Sequence, residues 1–424
     1  MSESFNQRQR RCWHRWALLA ALPALASCSG NNCWNCCRDC RVASPPPTTT
    51  PAQDVSLGLV AGNFTGNGDT SVLATSTVLY HAYDNAGDLE SYLSTGAGAF
   101  AAPVATADGN DPLYLASADL TADGLPDVVS ASYDDGQLAV FLNTAASPGT
   151  FQTPVLLNSP GASQVAIADM NGDGMPDLVS ADFQVSLFLQ SSPGVFASPI
   201  SLYSGGANWV ALGDLNGDGI PDVALTDNVG VKILFHTGAA SATTYAAPVS
   251  VFTQTPNDQF QGANLVAIAD LTGNGLNDLV ITDPGPSGCM APTVSVLLQN
   301  SAAPGQFTAP VSYPVPGACA AESIVVTDLN GDGLPDIVIG SASGVSVLLQ
   351  NAASPGTFLA ATGYSAPNAN EIAVADVNAD GHPDIIVGTG PAQSAVNGVV
   401  PNAPGVLLQN AGTPGTFGAL QALP

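Results

Sequence analysis

Apolar residues in this chain occur in short runs that alternate with polar and turn-forming residues. In one stretch, an apolar run at 165–168 is followed by a second at 177–181, an alternating segment at 185–189 and a fourth segment at 197–202. Glycine, proline, asparagine and serine separate these segments, and no sustained helical period runs through them. The pattern predicts four short antiparallel β-strands.

This group of segments recurs seven times, and a nine-residue loop marks each copy between its first and second segments. The clearest loops read DMNGDGMPD, DLNGDGIPD and DLNGDGLPD, and the seven loops occupy residues 63–71, 119–127, 169–177, 214–222, 270–278, 328–336 and 376–384. Units of roughly 45 to 58 residues with four strands have the size of a propeller blade. A β-sandwich would not produce seven equivalent loops, and an open solenoid would need capping repeats. The sequence therefore predicts an all-β fold, a seven-bladed β-propeller of four-stranded antiparallel blades over residues 54–424, with its first and last blades joined by face packing.

The N-terminal residues have the composition of an export signal. An arginine-rich start precedes an apolar stretch at 16–26 that is too short to span a bilayer as a mature helix. Leu-Ala-Ser-Cys at 25–28 resembles the bacterial lipoprotein cleavage site, which implies a signal peptide at 1–27 and lipidation of Cys28. Ordinary signal cleavage with an unmodified Cys28 is the alternative. These features predict an exported protein that is lipid-anchored in the bacterial cell envelope or at its outer surface.

Residues 28–53 form a cysteine-rich segment and a proline- and threonine-rich linker. The segment CWNCCRDC holds Cys33, Cys36, Cys37 and Cys40. Its two C-x-x-C pairs abut, which leaves no chain to wrap a tetrahedral zinc ion, and an exported protein meets an oxidising compartment. Disulfides are therefore favoured over a zinc site.

The charge of the chain, −27 at pH 7, is unevenly distributed. Of the 7 basic residues only Lys232 lies beyond residue 41, whereas all 34 acidic residues except Glu3 and Asp39 do. Such a surface does not neutralise phosphates, so the composition predicts no nucleic-acid partner and membrane contact through the lipid anchor alone. The excess of carboxylates favours bound cations.

The acidic loop, joined to a later PGxF turn, resembles the FG-GAP/VCBS repeat of integrin α-subunit propellers and of many bacterial exported proteins. The turn occurs at 148–151, 193–196, 304–307, 355–358 and 414–417. The resemblance covers about residues 54–424 and implies a propeller with calcium-binding loops between the first and second strands of its blades. It also implies an adhesion, lectin or accessory role. The first loop departs from the pattern at positions 1, 5 and 9, where Asn63, Asn67 and Ser71 replace aspartate, and the fourth repeat carries HTGAASATTY in place of the turn.

The acidic loops predict several structural Ca²⁺ sites. In the loop at 214–222, the oxygens of Asp214, Asn216 and Asp218 occupy positions 1, 3 and 5, position 7 offers its backbone carbonyl, and Asp222 closes the loop at position 9. Oxygen ligands without histidine or cysteine favour Ca²⁺ over transition metals. The corresponding predicted ligands are Asp119, Thr121, Asp123 and Asp127; Asp169, Asn171, Asp173 and Asp177; Asp270, Thr272, Asn274 and Asp278; Asp328, Asn330, Asp332 and Asp336; and Asp376, Asn378, Asp380 and Asp384. We expect the loop at 63–71 to hold no metal. The alternative is an Asx-rich hairpin whose side chains satisfy its own backbone.

No convergent set of catalytic residues is recognisable in the sequence. The histidines beyond the signal, His81, His236 and His382, fall in different repeats. A calcium-dependent polysaccharide lyase would need basic residues to neutralise a uronate, and the repeats supply only Lys232. The sequence therefore predicts a non-catalytic, calcium-stabilised, surface-tethered and monomeric binding module for a glycan or a protein. A structural envelope scaffold and the lyase are the alternatives.

The residue five places before each loop varies more than its neighbours do. This position is held by Gly58, Tyr114, Gln164, Trp209, Leu265, Ser323 and Glu371. It lies at the start of each inner strand, at the end of the central channel opposite the acidic loops. A long insertion of the first blade, at 80–89, reaches the same face and holds Tyr80 and Tyr83. These two residues, Tyr114 and Trp209 are predicted to bind the ligand by stacking on sugar or anchoring a protein. The alternative is that Tyr114 and Trp209 plug the channel.

Two cysteines in the repeats are predicted to form a disulfide. Cys289 lies in the loop between the second and third strands of the fifth blade, and Cys319 lies in the connection to the sixth. Both segments reach the same face of a propeller, so the two thiols are expected to be neighbours.

Overall fold

The computed structural model describes residues 54–78, 86–110, 112–238, 243–253, 265–283, 292–315, 321–389 and 404–423. The predicted signal peptide and linker lie outside these residues, as do Cys28, Tyr80, Tyr83, Cys289 and Cys319. Within the described ranges, no helix is long and apolar enough to cross a membrane.

The described residues form seven four-stranded antiparallel sheets, which confirms the predicted propeller. The first four blades consist of β1 (Asp54–Gly62), β2 (Ser71–Val78), β3 (Ala86–Tyr92) and β6 (Val104–Asn110); β7 (Pro112–Ala118), β8 (Asp127–Ser132), β9 (Gln137–Phe141) and β10 (Val155–Asn158); β11 (Gln164–Ala168), β12 (Asp177–Ala181), β13 (Val185–Phe188) and β16 (Ile200–Tyr203); and β17 (Trp209–Gly213), β18 (Asp222–Thr226), β19 (Gly230–Leu234) and β20 (Val249–Thr253).

The remaining three blades have the same strand order. They consist of β21 (Val266–Ala269), β22 (Asp278–Asp283), β23 (Thr293–Leu297) and β24 (Val311–Pro314); β25 (Ala321–Thr327), β26 (Asp336–Ser341), β27 (Gly344–Leu348) and β28 (Thr362–Tyr364); and β29 (Ala369–Ala375), β30 (Asp384–Thr389), β31 (Gly405–Leu407) and β32 (Gln421–Ala422). Two short hairpins complete the strands, β4 (Ser94–Gly96) with β5 (Ala99–Phe100) and β14 (Gln190–Ser192) with β15 (Val195–Phe196).

The core lies between the faces of adjacent blades. The second strand of the third blade, β12, is buried along its whole length, whereas the outer strand of the second blade, β10, is largely exposed. At the closure of the ring, Leu59 and Val72 of the first blade pack with Ile386 and Val406 of the seventh. No blade is shared between the two ends, and the closing contact is face packing, as predicted.

The first strand of each blade lines the central channel. In the third, fourth and fifth blades these inner strands are only partly buried over most of their length, although they are flanked by fully buried second strands. The pairing of β7, β25 and β29 with their neighbouring strands shifts register near the start of each inner strand. Such bulges add a residue to one strand and re-aim its side chains. We call the end of the ring that carries the acidic loops the loop face, and the end where the inner strands begin the opposite face.

Candidate functional site

The side chains at positions 1, 3 and 5 of the acidic loops turn into the loop itself. In the third blade, the Asp169 carboxylate accepts the backbone N–H groups of Asp173 at 3.1 Å and Gly174 at 2.8 Å. Asn171 accepts the Asp173 N–H at 2.9 Å, and Asp173 accepts that of Met175 at 2.8 Å. Such Asx turns define a compact loop, and Gly174 has the positive φ, 86°, that the sharp turn requires. The position-1 residues that accept the same pair of N–H groups are Asp119, Asp214, Asp270, Asp328 and Asp376.

The aspartate at position 9 connects the loop to the residues that follow the third strand. Asp177 is fully buried, and its carboxylate accepts the Met170 N–H at 2.9 Å and the Gln190 N–H at 2.7 Å. Burial raises the pKa of Asp177 to about 6, against the effect of these hydrogen bonds, which lower it. The residues that make the equivalent pair of bonds are Asp127, Asp222, Asp278, Asp336 and Asp384. Each position-9 carboxylate therefore has a demonstrable role inside its blade.

A carboxamide beside the position-9 aspartate joins consecutive blades. In the seventh blade, Gln409 donates to the Pro383 carbonyl at 2.6 Å and to the Leu329 carbonyl of the sixth blade at 2.9 Å, and it accepts the Gly415 N–H of the PGxF turn at 2.8 Å. Asn143 and Gln190 likewise donate to a carbonyl of the preceding blade, whereas the bonds of Gln299 and Gln350 reach the loop and the turn of their own blade. We call these residues the carboxamide clasp. Sequence reasoning missed them, although Leu-Gln or Leu-Asn recurs before each intact turn and could have revealed them.

The fourth blade keeps the β-bridge at the base of this turn with different residues. His236 replaces the carboxamide and pairs with Tyr245 in a β-bridge, as Gln299 does with Phe307 in the fifth blade. The rings of His236 and Tyr245 meet edge-on with centroids 5.6 Å apart. The departure seen in the sequence of this repeat therefore conserves the turn's closing contact.

The acidic loops carry the oxygen donor atoms that a hard cation prefers. At positions 1, 3 and 5, each of the second to seventh loops offers only oxygen donors, from Asp, Asn or Thr. In the described residues, however, no three His, Cys, Asp or Glu side chains are gathered as a metal-binding group. The hydroxyls of Thr121 and Thr272 are buried without a hydrogen-bond partner, but so is that of Thr65 in the first loop, which lacks aspartate at positions 1, 5 and 9. The orphaned hydroxyls therefore do not discriminate between metal ligands and packed side chains.

The variable residues of the inner strands meet across the channel near the opposite face. Tyr114 of the second blade contacts Trp209 of the fourth edge-on, with ring centroids 5.2 Å apart. The Tyr114 hydroxyl donates to the Glu322 carbonyl of the sixth blade at 3.3 Å. The structure thus brings together Tyr114 and Trp209, two of the predicted ligand-binding residues, and narrows the channel with them.

Two other variable residues bond the next blade. Gln164 exchanges hydrogen bonds with both the N–H and the carbonyl of Val210, at 3.3 and 3.2 Å. Ser323 accepts the Ile372 N–H at 3.3 Å and donates to the Glu371 carboxylate at 3.0 Å. Part of the variation at this position therefore reflects different hydrogen bonds between adjacent inner strands.

Glu322 and Glu371 were not predicted as site residues. Burial raises the pKa of Glu322 to about 7, and burial together with the charge of Glu322 holds the pKa of Glu371 well above its usual range. Burial and both glutamates likewise raise the pKa of Tyr114. A signal was present in the sequence, because Glu90, Glu322 and Glu371 are its only glutamates beyond residue 41.

These observations define the molecule as a repeat-built β-propeller with one acidic loop face and a narrowed channel end. A family model for FG-GAP-like repeats matches residues 119–180, 169–225, 270–339 and 328–387. Together these segments span more than half of the sequence. The chain belongs to the FG-GAP-like repeat family.

The chain is also similar to several solved structures. An Agrocybe aegerita lectin that specifically recognises non-reducing terminal N-acetylglucosamine is 20% identical, with a TM-score of 0.52 over 74% of this chain and 80% of that chain. The V. cholerae biofilm matrix protein Bap1 is 12% identical, with a TM-score of 0.41 over 82% and 87%. A protein from Lactobacillus plantarum is 14% identical, with a TM-score of 0.46 over 74% and 85%. No curated protein matches the sequence.

Proposed function

We propose that the chain is a non-catalytic binding module that recognises a glycan or a protein at the opposite face of its propeller. The observation that carries the proposal is that residues which recur from blade to blade hold the fold together, whereas residues which differ between blades meet at one end of the channel. Framework positions recur from blade to blade and are engaged in packing, in the position-9 contacts and in the carboxamide clasp. The residues that differ between blades meet at the narrowed channel end, where Tyr114 and Trp209 lie in contact. Ligand-binding residues are expected where the fold constrains the choice of residue least. This favours the narrowed channel end as the binding site.

The family and one solved structure support a binding role. FG-GAP-like repeats build propellers, and the similar Agrocybe aegerita structure is that of a lectin. Its identity of 20% supports the shared fold and does not identify the ligand of this chain.

We further propose that Ca²⁺ stabilises the loop face. In the fourth blade, Asp214, Asn216 and Asp218 would hold the ion with the backbone carbonyl of Ile220, and Asp222 would contribute remaining lone pairs beyond its two backbone hydrogen bonds. The ion would neutralise part of the acid excess. Because a cation that binds only the folded loops stabilises them by mass action, calcium would act on stability rather than on ligand chemistry.

The proposed cellular setting follows from the N-terminal sequence. A lipid on Cys28 would anchor the exported protein in the bacterial envelope, and the linker would hold a monomeric propeller away from the membrane. Metabolic labelling with a fatty-acid probe tests this proposal, since Cys28→Ser should abolish the label.

The experiment that tests the binding proposal measures retention on glycan arrays and co-purification from a native membrane. Trp209→Ala should abolish retention, whereas Val195→Ala, an exposed apolar residue of an outer hairpin, should leave it unchanged. Circular dichroism would establish that both variants keep the fold. Retention that survives Trp209→Ala but is lost on altering PGxF turns would place the ligand on the loop face. No retained ligand at all would favour a scaffold, and turnover of pectic substrates would favour a lyase.

A further inference from the structure

Two glutamates lie together at the narrowed channel end, and the part of the chain that the structure describes places no positive charge beside them. One Glu371 carboxylate oxygen accepts the Ser323 hydroxyl at 3.0 Å, while its other oxygen, Oε2, is enclosed and has no hydrogen-bond partner among the described residues. Glu322 is the extra residue of the bulge at the start of β25, between the paired Ala321 and Ser323. Enclosing a carboxylate without a partner is unfavourable, so this arrangement indicates a missing interaction.

The described residues of the repeats supply no cation for these glutamates. Every arginine precedes residue 42, and Lys232 is the only lysine in the sequence. Lys232 is already engaged by the Asp227 carboxylate and by the Tyr203 hydroxyl, with an N–O distance to the latter of 3.2 Å. The described histidines lie toward the loop face, His236 at a third-strand end and His382 in an acidic loop. Among the described residues, therefore, no cationic side chain is left to pair with the two glutamates.

The chemistry of the surrounding groups favours an organic cation over a metal ion. Two carboxylates supply too few oxygens for Ca²⁺, which takes six to eight, as a rough rule, and no larger acidic group is gathered in the described residues. The aromatic pair of Tyr114 and Trp209 flanks the glutamates, with Tyr114 bonded to the Glu322 carbonyl. Aromatic rings beside carboxylates are the usual surroundings of a bound ammonium group.

We propose that this channel end binds a primary ammonium group between Glu322 and Glu371, beside Tyr114, and that the lysine side chain of a protein ligand supplies it. A linear side chain suits an opening that residues of the second, fourth and sixth blades narrow from three sides. Its methylene groups would lie along Trp209 while its head reaches the carboxylates. The strong negative charge of the chain also attracts basic proteins. This inference rests on the proposed function only in placing the ligand at the opposite face.

The test measures binding of Nα-acetyl-lysine methylamide to the full processed chain by calorimetry. Trp209 is the only tryptophan of the repeats, and the processed chain holds one other, Trp34. In a Trp34→Phe background, quenching of tryptophan fluorescence therefore gives a local second readout. Nα-acetyl-norleucine methylamide is the matched neutral probe, because it has a similar apolar chain and no ammonium group. We expect the lysine probe to bind with a dissociation constant on the order of millimolar, and the norleucine probe to bind at least about tenfold more weakly.

Isosteric variants distinguish binding of the lysine probe at this site from its general electrostatic attraction to an acidic protein. Glu371→Gln and Glu322→Gln should each weaken the lysine probe by about tenfold or more. Glu90→Gln removes the same charge from the third strand of the first blade and should leave binding unchanged. Equal binding of both probes, or unchanged affinity in Glu371→Gln, would overturn the proposal. Stronger binding of glucosamine than of the lysine probe would also overturn the assignment to a protein ligand. Glycan retention without lysine binding would refute this inference and leave the proposed function standing.

Discussion

Asp108 offers a sharp test of how burial controls the stability of this acidic domain. It lies on the outer strand of the first blade, is only 2% exposed, and accepts the Ser130 hydroxyl of the second blade through one carboxylate oxygen. Its other oxygen, Oδ2, is buried without a hydrogen-bond partner among the described residues. Burial, opposed by the Ser130 bond and reinforced by Asp88 and Asp135, raises the pKa of Asp108 from 3.8 to about 8.

The sign of the effect follows from proton linkage. The folded protein holds the Asp108 proton to higher pH than the unfolded chain does, so stability is greatest below the ordinary pKa and falls as pH rises toward the raised one. A tenfold change in proton affinity corresponds to about 1.4 kcal/mol, so the rise from 3.8 to about 8 corresponds to a loss on the order of 5 kcal/mol. Asp108→Asn removes the ionisation and should flatten this part of the pH profile.

The assay compares urea unfolding of the wild type and Asp108→Asn near these two pH values. The variant should gain several kcal/mol relative to the wild type at the higher pH, as an order of magnitude. At the lower pH the two should be similar, or the variant slightly less stable because its amide N–H lacks an acceptor. Asp88→Asn removes the same charge from a neighbouring strand and should give a much smaller change. Parallel pH profiles of wild type and Asp108→Asn would refute the reasoning.

Three further outcomes follow from the loops, the clasp and the cysteines. Dialysed protein should contain several Ca²⁺ ions per chain and melt at a lower temperature in chelator, with Asp214→Ala removing one ion; elemental analysis that finds fewer than two ions would contradict the calcium proposal. Gln409→Met should lower the free energy of unfolding by about 1–3 kcal/mol, because it leaves buried backbone groups unpaired. The control Gln421→Met, on an exposed outer strand, should have little effect. Equal losses of stability in the two variants would argue against the carboxamide clasp. Cys289 and Cys319 should resist thiol labelling in native protein until a reductant is added, and labelling of both without it would exclude the disulfide.

The architecture was predictable because its signals are local and repeated. Each acidic loop is a contiguous sequence, and the apolar runs beside it give the strands directly, as β11 and β12 show around the loop of the third blade. Because the same pattern recurs seven times, the number of blades could be predicted from the sequence without knowledge of any contact between residues. The predicted calcium ligands were found in the same way and stay a prediction.

The channel end was only partly predictable because its contacts join distant residues. Tyr114 and Glu322 are 208 positions apart in the sequence and meet only because the ring closes. Sequence comparison between the repeats identified Tyr114, Trp209 and Glu371 as variable, but it could not show which side chains bond one another. It also could not identify Glu322, which is placed by a bulge at the start of β25. Local patterns specify blades, whereas ring closure assembles this site.

The same closure couples each acidic loop to the next blade. The turn glycine Gly415 of the seventh blade lies so near the sixth loop that an added Cβ would approach Asn330 at 3.4 Å, and Gly98 of the first blade would approach Asn378 of the seventh loop at 3.1 Å. The seam between the last and first blades therefore has the turn-on-loop contact found elsewhere in the ring, in addition to its apolar packing. A cation held at positions 1, 3 and 5 would fix the residue on which the neighbouring turn rests. Calcium would then stabilise the seams between blades as well as the individual loops, and a rigid ring is what a recognition site assembled from four separate blades requires.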